Sequence, residues 1–337
     1  MASQRPPLGS PQNCLVVSYH YVRDSSVTTF PRLKALHPAE FERQLTSLER
    51  DRTIVGHGDF VAALDGARSL AGPAALLTFD DGLIDHYTTV FPALAARGHR
   101  GIFFISPSSN YPAPRVLNVQ KVQLLLARLG DRLWGEVEGA LAATAPGVAS
   151  HGPHASLYRY DTAAVRRVKQ LLNYDLPFET ADMLLSTLFR SHIGEEAEVA
   201  SELYMTPAMI REMALAGMTF GYHTRDHRVL SRLSLDDQRS QLEGGVQWIQ
   251  ALTGQTLVPF CYPHGHAHAY TRDTVRLVHE SGYSTAFTAV RGASQPLTDT
   301  RFEVPRFDTR DVPPADADLI DVPAASAGLA AGSAGGG

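Results

Sequence analysis

Ala74-Ala-Leu-Leu-Thr-Phe-Asp-Asp-Gly82 is an apolar run that ends in two adjacent carboxylates and a glycine. It reads as a buried strand that delivers Asp80 and Asp81 to its C-terminal rim, where Gly82 lets the backbone turn. Adjacent carboxylates on an extended chain point to different sides, so one can hold a cation while its neighbour takes a proton. The same residues also suit a plain polar turn in which an Asp caps the next helix. A second cluster bears on the choice.

That cluster is His223-Thr-Arg-Asp-His227, which follows the apolar stretch Met218 to Tyr222 and so sits at the end of another expected strand. Imidazoles four apart meet on one side of a helical turn, and imidazole with carboxylate suits zinc and its first-row neighbours. Histidines at this spacing also occur as solvated surface residues. Two clusters at two strand ends favour a site of one Asp and two His, with positions left open for water and substrate.

Thr78-Phe-Asp-Asp-Gly82 and His223-Thr-x-x-His227 resemble the first two signature motifs of the polysaccharide deacetylases, the NodB-homology group of carbohydrate esterase family 4. Val17-Ser-Tyr-His-Tyr-Val22 resembles the opening strand of the poly-N-acetylglucosamine deacetylase branch, and His37-Pro-Ala-Glu-Phe-Glu-Arg-Gln-Leu45 the helix that follows it. Phe260-Cys-Tyr-Pro-His-Gly265 stands in the place of the third motif, and Val304-Pro-Arg-Phe307 resembles the closing strand. The resemblance spans roughly residues 14–106 and 205–310. It implies an α/β fold, an irregular (β/α)7-type barrel, and a metal-dependent amidase.

By position in these motifs, the resemblance makes Asp81, His223 and His227 the metal ligands and Asp80 the general base that takes a proton from water. It makes the backbone N–H of His264 the oxyanion donor and places Tyr262, Pro263 and Gly265 at the substrate. Two departures matter. Many members carry an Arg in the third motif that pairs with the base, where this chain has Cys261; Arg306 is the candidate replacement, since a cation beside Asp80 would hold it ionised. Many also take their general acid from a late His, and Arg301 to Pro314 contains none. In the Tyr-His branch the acid is the His of the first strand, here His20, with His264 in reserve. Asp85 and His86 read as the first turn of a helix, and His266 and His268 as solvated loop residues or, alternatively, as lining of the substrate channel.

The chain has 337 residues, enough for one large α/β domain or two smaller ones. Apolar content of 44% and charged content of 19% are ordinary globular values. A net charge of −5 gives no reason to expect a nucleic acid partner. No run is long enough to span a membrane. The cysteines, Cys14 and Cys261, sit in apolar contexts and read as buried free thiols. Residues 1–13 lack the apolar core of a secretory signal, which leads to the expectation of a cytoplasmic protein.

Strand and helix signals alternate through the barrel region, with Thr206, Pro207 and Ser234 opening helices. One helix is expected from Ser234 through Thr253. Between 107 and 204 the alternation stops, and helical spacing such as Val122, Leu125, Leu126 and Leu129 points to a helical insertion on the rim. The expected organisation is a flexible segment 1–13, a barrel over 14–312 interrupted by that insertion, a loop over 143–154 within it, and a disordered small-residue tail at 313–337. A lid or subdomain over the substrate and a structural or dimerising element both fit the insertion.

Three functions are compatible with these residues. The first is removal of an acyl group, acetyl above all, from the amine of an amino sugar that is small or carrier-linked. The second is hydrolysis of another C–N bond, such as a cyclic ureide, an imide or a small acylated amine. The third is a non-catalytic, metal-stabilised sugar-binding module. Zinc leads among the divalent ions, with cobalt, nickel, manganese and iron also suited to the ligand set.

Overall fold

A computed structural model describes residues 14–70, 72–110, 114–144, 161–292 and 301–312. The segments expected to be flexible or disordered, 1–13 and 313–337, and residues 145–154 of the expected loop lie outside the described residues.

The first half of the barrel comprises β1 (Cys14–Tyr19), α1 (Pro38–Asp51), β2 (Thr53–Ile54), α2 (His57–Leu64), β3 (Ala74–Phe79), α3 (Phe91–Ala96) and β4 (Gly101–Ile105). The rim segment follows as α4 (Pro107–Asn110), α5 (Asn118–Leu129), α6 (Leu133–Thr144), α7 (Ala163–Gln170), α8 (Phe178–His192) and α9 (Glu196–Leu203). The chain then returns through α10 (Pro207–Leu215), β5 (Thr219–Tyr222), α11 (Leu235–Leu242), α12 (Gly245–Thr253), β6 (Phe260–Cys261), α13 (Arg272–Glu280), β7 (Ala286–Phe287) and β8 (Phe307–Asp308).

The strands run parallel in the order β7-β6-β5-β4-β3-β1-β8, with β2 paired to the start of β3 below β4. Val304 bridges to Phe287 while Phe307 pairs with Val17, so the segment 304–308 reaches from one edge of the sheet to the other. The result is the irregular (β/α)7-type barrel expected from the sequence, with Asp80, Asp81 and His223 just past the C-terminal ends of β3 and β5.

Both faces of β1 and β3 are buried, which is why their sequences read as unbroken apolar runs. Leu15, Val17, Tyr19, Ala75, Leu77 and Phe79 pack outward against Phe41, Leu45 and Leu48 of α1. Cys14, Val16, Ala74 and Leu76 belong to a separate interior cluster with Phe60, Phe104, Cys261 and Phe287. Thr78 and Asp80 continue that inner row by the two-residue period of the strand, and this aims the first carboxylate into the barrel. Both cysteines are free and buried.

Helices α5 to α9 have a core of their own, built from side chains such as Leu124, Leu125, Leu133, Leu185 and Phe189. Tyr21, Leu33 and Leu83 of the barrel join it, so the segment is packed onto the rim. The fully buried Lys121 sits within it and pairs with Asp182 at 3.1 Å and Glu196 at 2.9 Å. No helix among the described residues is long and apolar enough to cross a membrane.

Two expectations are corrected. The helix foreseen from Ser234 through Thr253 is two helices, because Glu243 is extended and Gly244 takes φ 72°, a left-handed conformation that breaks the helical ladder. The sequence at 257–262 and 284–287 leads to the expectation of a strand throughout each stretch, but β6 and β7 pair over two residues each.

Candidate active site and metal centre

Just past β3 the chain must turn sharply, and Asp81 adopts φ 77° with Gly82 at φ 66°. Thr224, His227 and His264 have φ of 59°, 54° and 59°. These four are the non-glycine residues with positive φ among the described residues, and all lie at one end of the barrel. Backbone strain of this kind costs about 1–3 kcal/mol per residue and persists where surrounding structure over-determines it. The expectation that His223 and His227 meet on a helical turn is corrected here: their rings come to 4.7 Å through a loop bent by two left-handed residues.

The structure brings Asp81, His223 and His227 together, all buried. Nε2 of His223 lies 3.6 Å and Nε2 of His227 3.4 Å from Oδ1 of Asp81, too far for good hydrogen bonds. Ligands each about 2.1 Å from a tetrahedral zinc stand roughly 3.4 Å apart, so the donor set fits a divalent metal. Oδ1 of Asp81 has no hydrogen-bond partner among the described residues, which leaves a buried anionic oxygen facing two imidazoles. Nδ1 of His223 donates to the Cys261 carbonyl at 2.8 Å, which fixes the tautomer that presents Nε2. Burial holds His223 below the usual imidazole range and His227 well below it, so both are neutral and ready to ligate. Burial also pushes Asp81 up, partly offset by His20 and His223.

Asp80 takes a different environment. Nη1 and Nη2 of Arg306 donate to its two oxygens at 2.8 and 2.7 Å, a bidentate pair with both partners nearly fully buried. Arg306 is itself held by the Thr288 carbonyl at 2.7 Å, Thr78 Oγ1 at 3.0 Å and Cys261 Sγ at 3.1 Å. Burial pushes Asp80 upward, but the guanidinium charge and its hydrogen bonds overcome this and hold the carboxyl well below the ordinary range. Cys261 therefore stands beside the pair, and Arg306 supplies from the closing strand the cation that the third motif lacks.

His20 lies at the end of β1 with Nε2 3.8 Å from Asp80 Oδ2 and its side chain 43% exposed toward the opening. Two residues outside the sequence-derived site hold it there. His86, buried among Phe79 and Phe103, meets the His20 carbonyl through Nε2 at 3.0 Å. Asp85 accepts from Val22 N at 3.1 Å and Arg23 Nε at 2.7 Å. These two residues do open the next helical stretch, a wide π-type turn at 86–90, and they also clamp the chain that leaves β1.

A cavity of about 230 Å³ joins these groups, lined by His20, Asp80, Asp81, His223, His227 and Arg306. Val119, Val122 and Gln123 of α5, with Lys169 and Asn173, form the wall contributed by the rim helices. It adjoins a wider groove of about 790 Å³ that shares His20, Gln123, Lys169 and Arg306. His264 lines the cavity with its ring 5.0 Å from His227, and burial holds its imidazole well below the usual range. Tyr262 reaches the cavity wall, but its ring stacks on Tyr270 at 4.4 Å and its hydroxyl bonds the Phe302 carbonyl at 2.8 Å. Pro263 and Gly265 are buried behind that wall; a Cβ on Gly265 would come within 2.5 Å of Ala289 N. His266 is engaged by the Tyr174 hydroxyl, while His268 is exposed.

Gln120 is the residue that sequence reasoning missed altogether. Its Nε2 donates to Oδ2 of Asp81 at 2.6 Å from a fully buried position on α5.

Residues 186–286 match the family model described as polysaccharide deacetylase, a span that takes in His223, His227 and the 260–265 stretch. Comparison with curated proteins finds no match. Among solved structures the chain is similar to the Streptococcus pyogenes deacetylase PplD in complex with acetate, at 15% identity and TM-score 0.54, covering 90% of this chain and 93% of that one. It is similar to IcaB from Ammonifex degensii at 18% identity and TM-score 0.53, covering 89% and 91%. It is likewise similar to the deacetylase domain of BpsB from Bordetella bronchiseptica at 19% identity and TM-score 0.52, covering 90% and 98%. The family match over residues 186–286, together with a barrel shared with these deacetylases, agrees with the polysaccharide deacetylase resemblance carried by the sequence motifs. The fold likeness includes IcaB and the BpsB deacetylase domain, in keeping with the branch that the opening Tyr19-His20 pair resembles.

Proposed function

We propose that this protein is a metal-dependent hydrolase that removes an acyl group, acetyl above all, from the amine of an N-acylated amino sugar. The observation that carries the reading is the pairing of two unlike carboxylates at one cavity: Asp81 faces two neutral imidazoles with an unbonded oxygen, and Asp80 is held ionised by a buried Arg306. A divalent metal bound by Asp81, His223 and His227 would acidify water and polarise the amide carbonyl.

The chain's own residues supply the rest. Asp80, unable to bind a proton firmly beside Arg306, is a weak but oriented acceptor, so it suits water whose proton is already loosened. Arg306 fixes the rotamer of that acceptor and keeps it charged. His20, exposed at the cavity mouth and 3.8 Å from Asp80, stands where it can hand a proton to the departing amine nitrogen. The backbone N–H of His264, a residue that lines the cavity, is our assignment for the oxyanion donor. The small cavity, below the usual range of about 300–1,000 Å³ for drug-sized ligands, supports one sugar residue with its acyl group as the reacting unit. The wider groove beside it would take a carrier or a chain remainder. With a small or carrier-linked substrate, the reading includes work in the cytoplasm.

A binding module would need the ligands but no base braced by its own buried arginine, and this disfavours a non-catalytic role. Acetate release by the zinc-loaded protein from free, nucleotide-linked and oligomeric N-acetyl amino sugars tests the proposal. Release from at least one class is expected. Stoichiometric zinc with no release from any of them would contradict it and direct attention to cyclic ureides and imides.

A further inference from the structure

The helical segment between β4 and β5 does more than wall the cavity. α5 starts at Asn118, two residues before Gln120, and its first turn presses that amide against the first motif. Nε2 of Gln120 donates to Oδ2 of Asp81 at 2.6 Å, and its Oε1 accepts from the Tyr204 hydroxyl at 3.3 Å. The Tyr204 oxygen accepts in turn from Leu117 N at 3.0 Å. Tyr204 is bridged to Leu83, and Met205 N donates to the Gly82 carbonyl at 3.0 Å. The turn that carries Asp81 is therefore gripped from both ends of the segment, at its start by Gln120 and at its end by Tyr204 and Met205.

We propose that Gln120 is a positioning residue for the metal ligand Asp81, so that the helical segment forms part of the metal centre. This inference rests on the metal-site reading above. An amide suits the place because it donates on one side and accepts on the other, and the Tyr204 hydroxyl dictates which end faces the carboxylate. A glutamine turned the other way would set two oxygens against each other in a dry site. By occupying Oδ2, Gln120 leaves Oδ1 as the single oxygen directed at His223 and His227, which makes Asp81 a one-oxygen ligand. The left-handed backbone of Asp81 gives this grip something to oppose, since an unsupported carboxylate there could relax by rotating.

The test measures zinc affinity by competition with a chromophoric chelator, together with the absorption spectrum of the cobalt-loaded protein. In Gln120→Leu, zinc affinity should fall about 10- to 100-fold, the usual effect of removing a group that orients a ligand. The cobalt bands should weaken and shift as Asp81 becomes free to bind through both oxygens. Tyr204→Phe, which removes the hydroxyl that orients the amide and accepts from Leu117 N but leaves Gln120 in place, should cause the same changes to a smaller extent. A merely structural role would lower the melting temperature of the metal-free protein and leave both readouts alone. Wild-type affinity and spectrum in a folded Gln120→Leu protein, or in Tyr204→Phe should the leucine variant not fold, would overturn the inference. Absence of zinc binding by the wild type would overturn the metal-site reading and this inference with it.

Discussion

Replacing Arg306 with Met should alter the stability of the metal-free protein in a pH-dependent way. Opposite charges about 4 Å apart at an effective dielectric of 20 attract by roughly 4 kcal/mol, and breaking a buried pair by removing one partner costs about 3–5 kcal/mol. Both partners here are nearly fully buried and joined by hydrogen bonds of 2.7 and 2.8 Å, so the full range applies. At roughly 2 °C per kcal/mol for a large domain, that amounts to about 6–10 °C. In the wild type Asp80 is depressed, so its contribution is present above the unfolded carboxyl value and lost only as pH falls toward its low folded value. That contribution is therefore level from pH 5 to 8. Without the guanidinium, burial is left to push Asp80 above its unfolded value, and stability is then lost as pH rises through that raised value. Melting curves of chelator-treated wild type and Arg306→Met from pH 5 to 8 give the difference directly. It should widen as pH rises from 5 to 8, because the wild-type contribution is level there while the variant loses stability; a drop that is constant with pH, or absent at pH 8, would refute the reasoning.

Three further outcomes follow from particular contacts. His20→Ala should lose about 10²- to 10⁴-fold in kcat, the span of general acid catalysis, while zinc measured by mass spectrometry stays at the wild-type level. Asp81→Asn should abolish zinc retention on dialysis yet leave the metal-free melting temperature equal or higher, because it removes a buried anionic oxygen that has no hydrogen-bond partner among the described residues. Gly221→Ala should lower the melting temperature by the equivalent of about 1–3 kcal/mol, since its Cβ would meet the Phe104 ring at 2.4 Å and the Pro259 carbonyl at 2.8 Å.

What could be read from the sequence depended on whether a residue's role leaves a pattern along the chain. The run Ala74–Phe79 was legible because burial on both faces removes alternation, and the aspartates at its end stand out against it. Helix starts at Pro207 and Leu235 were legible from their caps, Thr206 and Ser234, and the start at Pro38 from the proline itself; the cap at His37 was not. Arg306 could be named only as a candidate, since its approach to Asp80 depends on the closing segment crossing between two sheet edges. Gln120 left no signal: an amide within a helix that reads by its apolar spacing points nowhere until tertiary packing sets it against Asp81. Val122 was legible as an apolar helix position, but its place on the cavity wall was not. The loop that joins His223 to His227 was misread as helical because spacing alone cannot distinguish a helical turn from one bent by left-handed residues. Asp85 and His86 were read correctly as a helix start, and their second task of holding the end of β1 needs contacts 62 to 66 residues apart.

The central claim is that one carboxylate of the Asp80-Asp81 pair serves the metal and the other the chemistry. Acetate release and zinc content, measured side by side in the wild type and Asp80→Asn, test it most directly. Equal zinc with release lost in the variant is the predicted result; equal zinc with release retained would contradict the account.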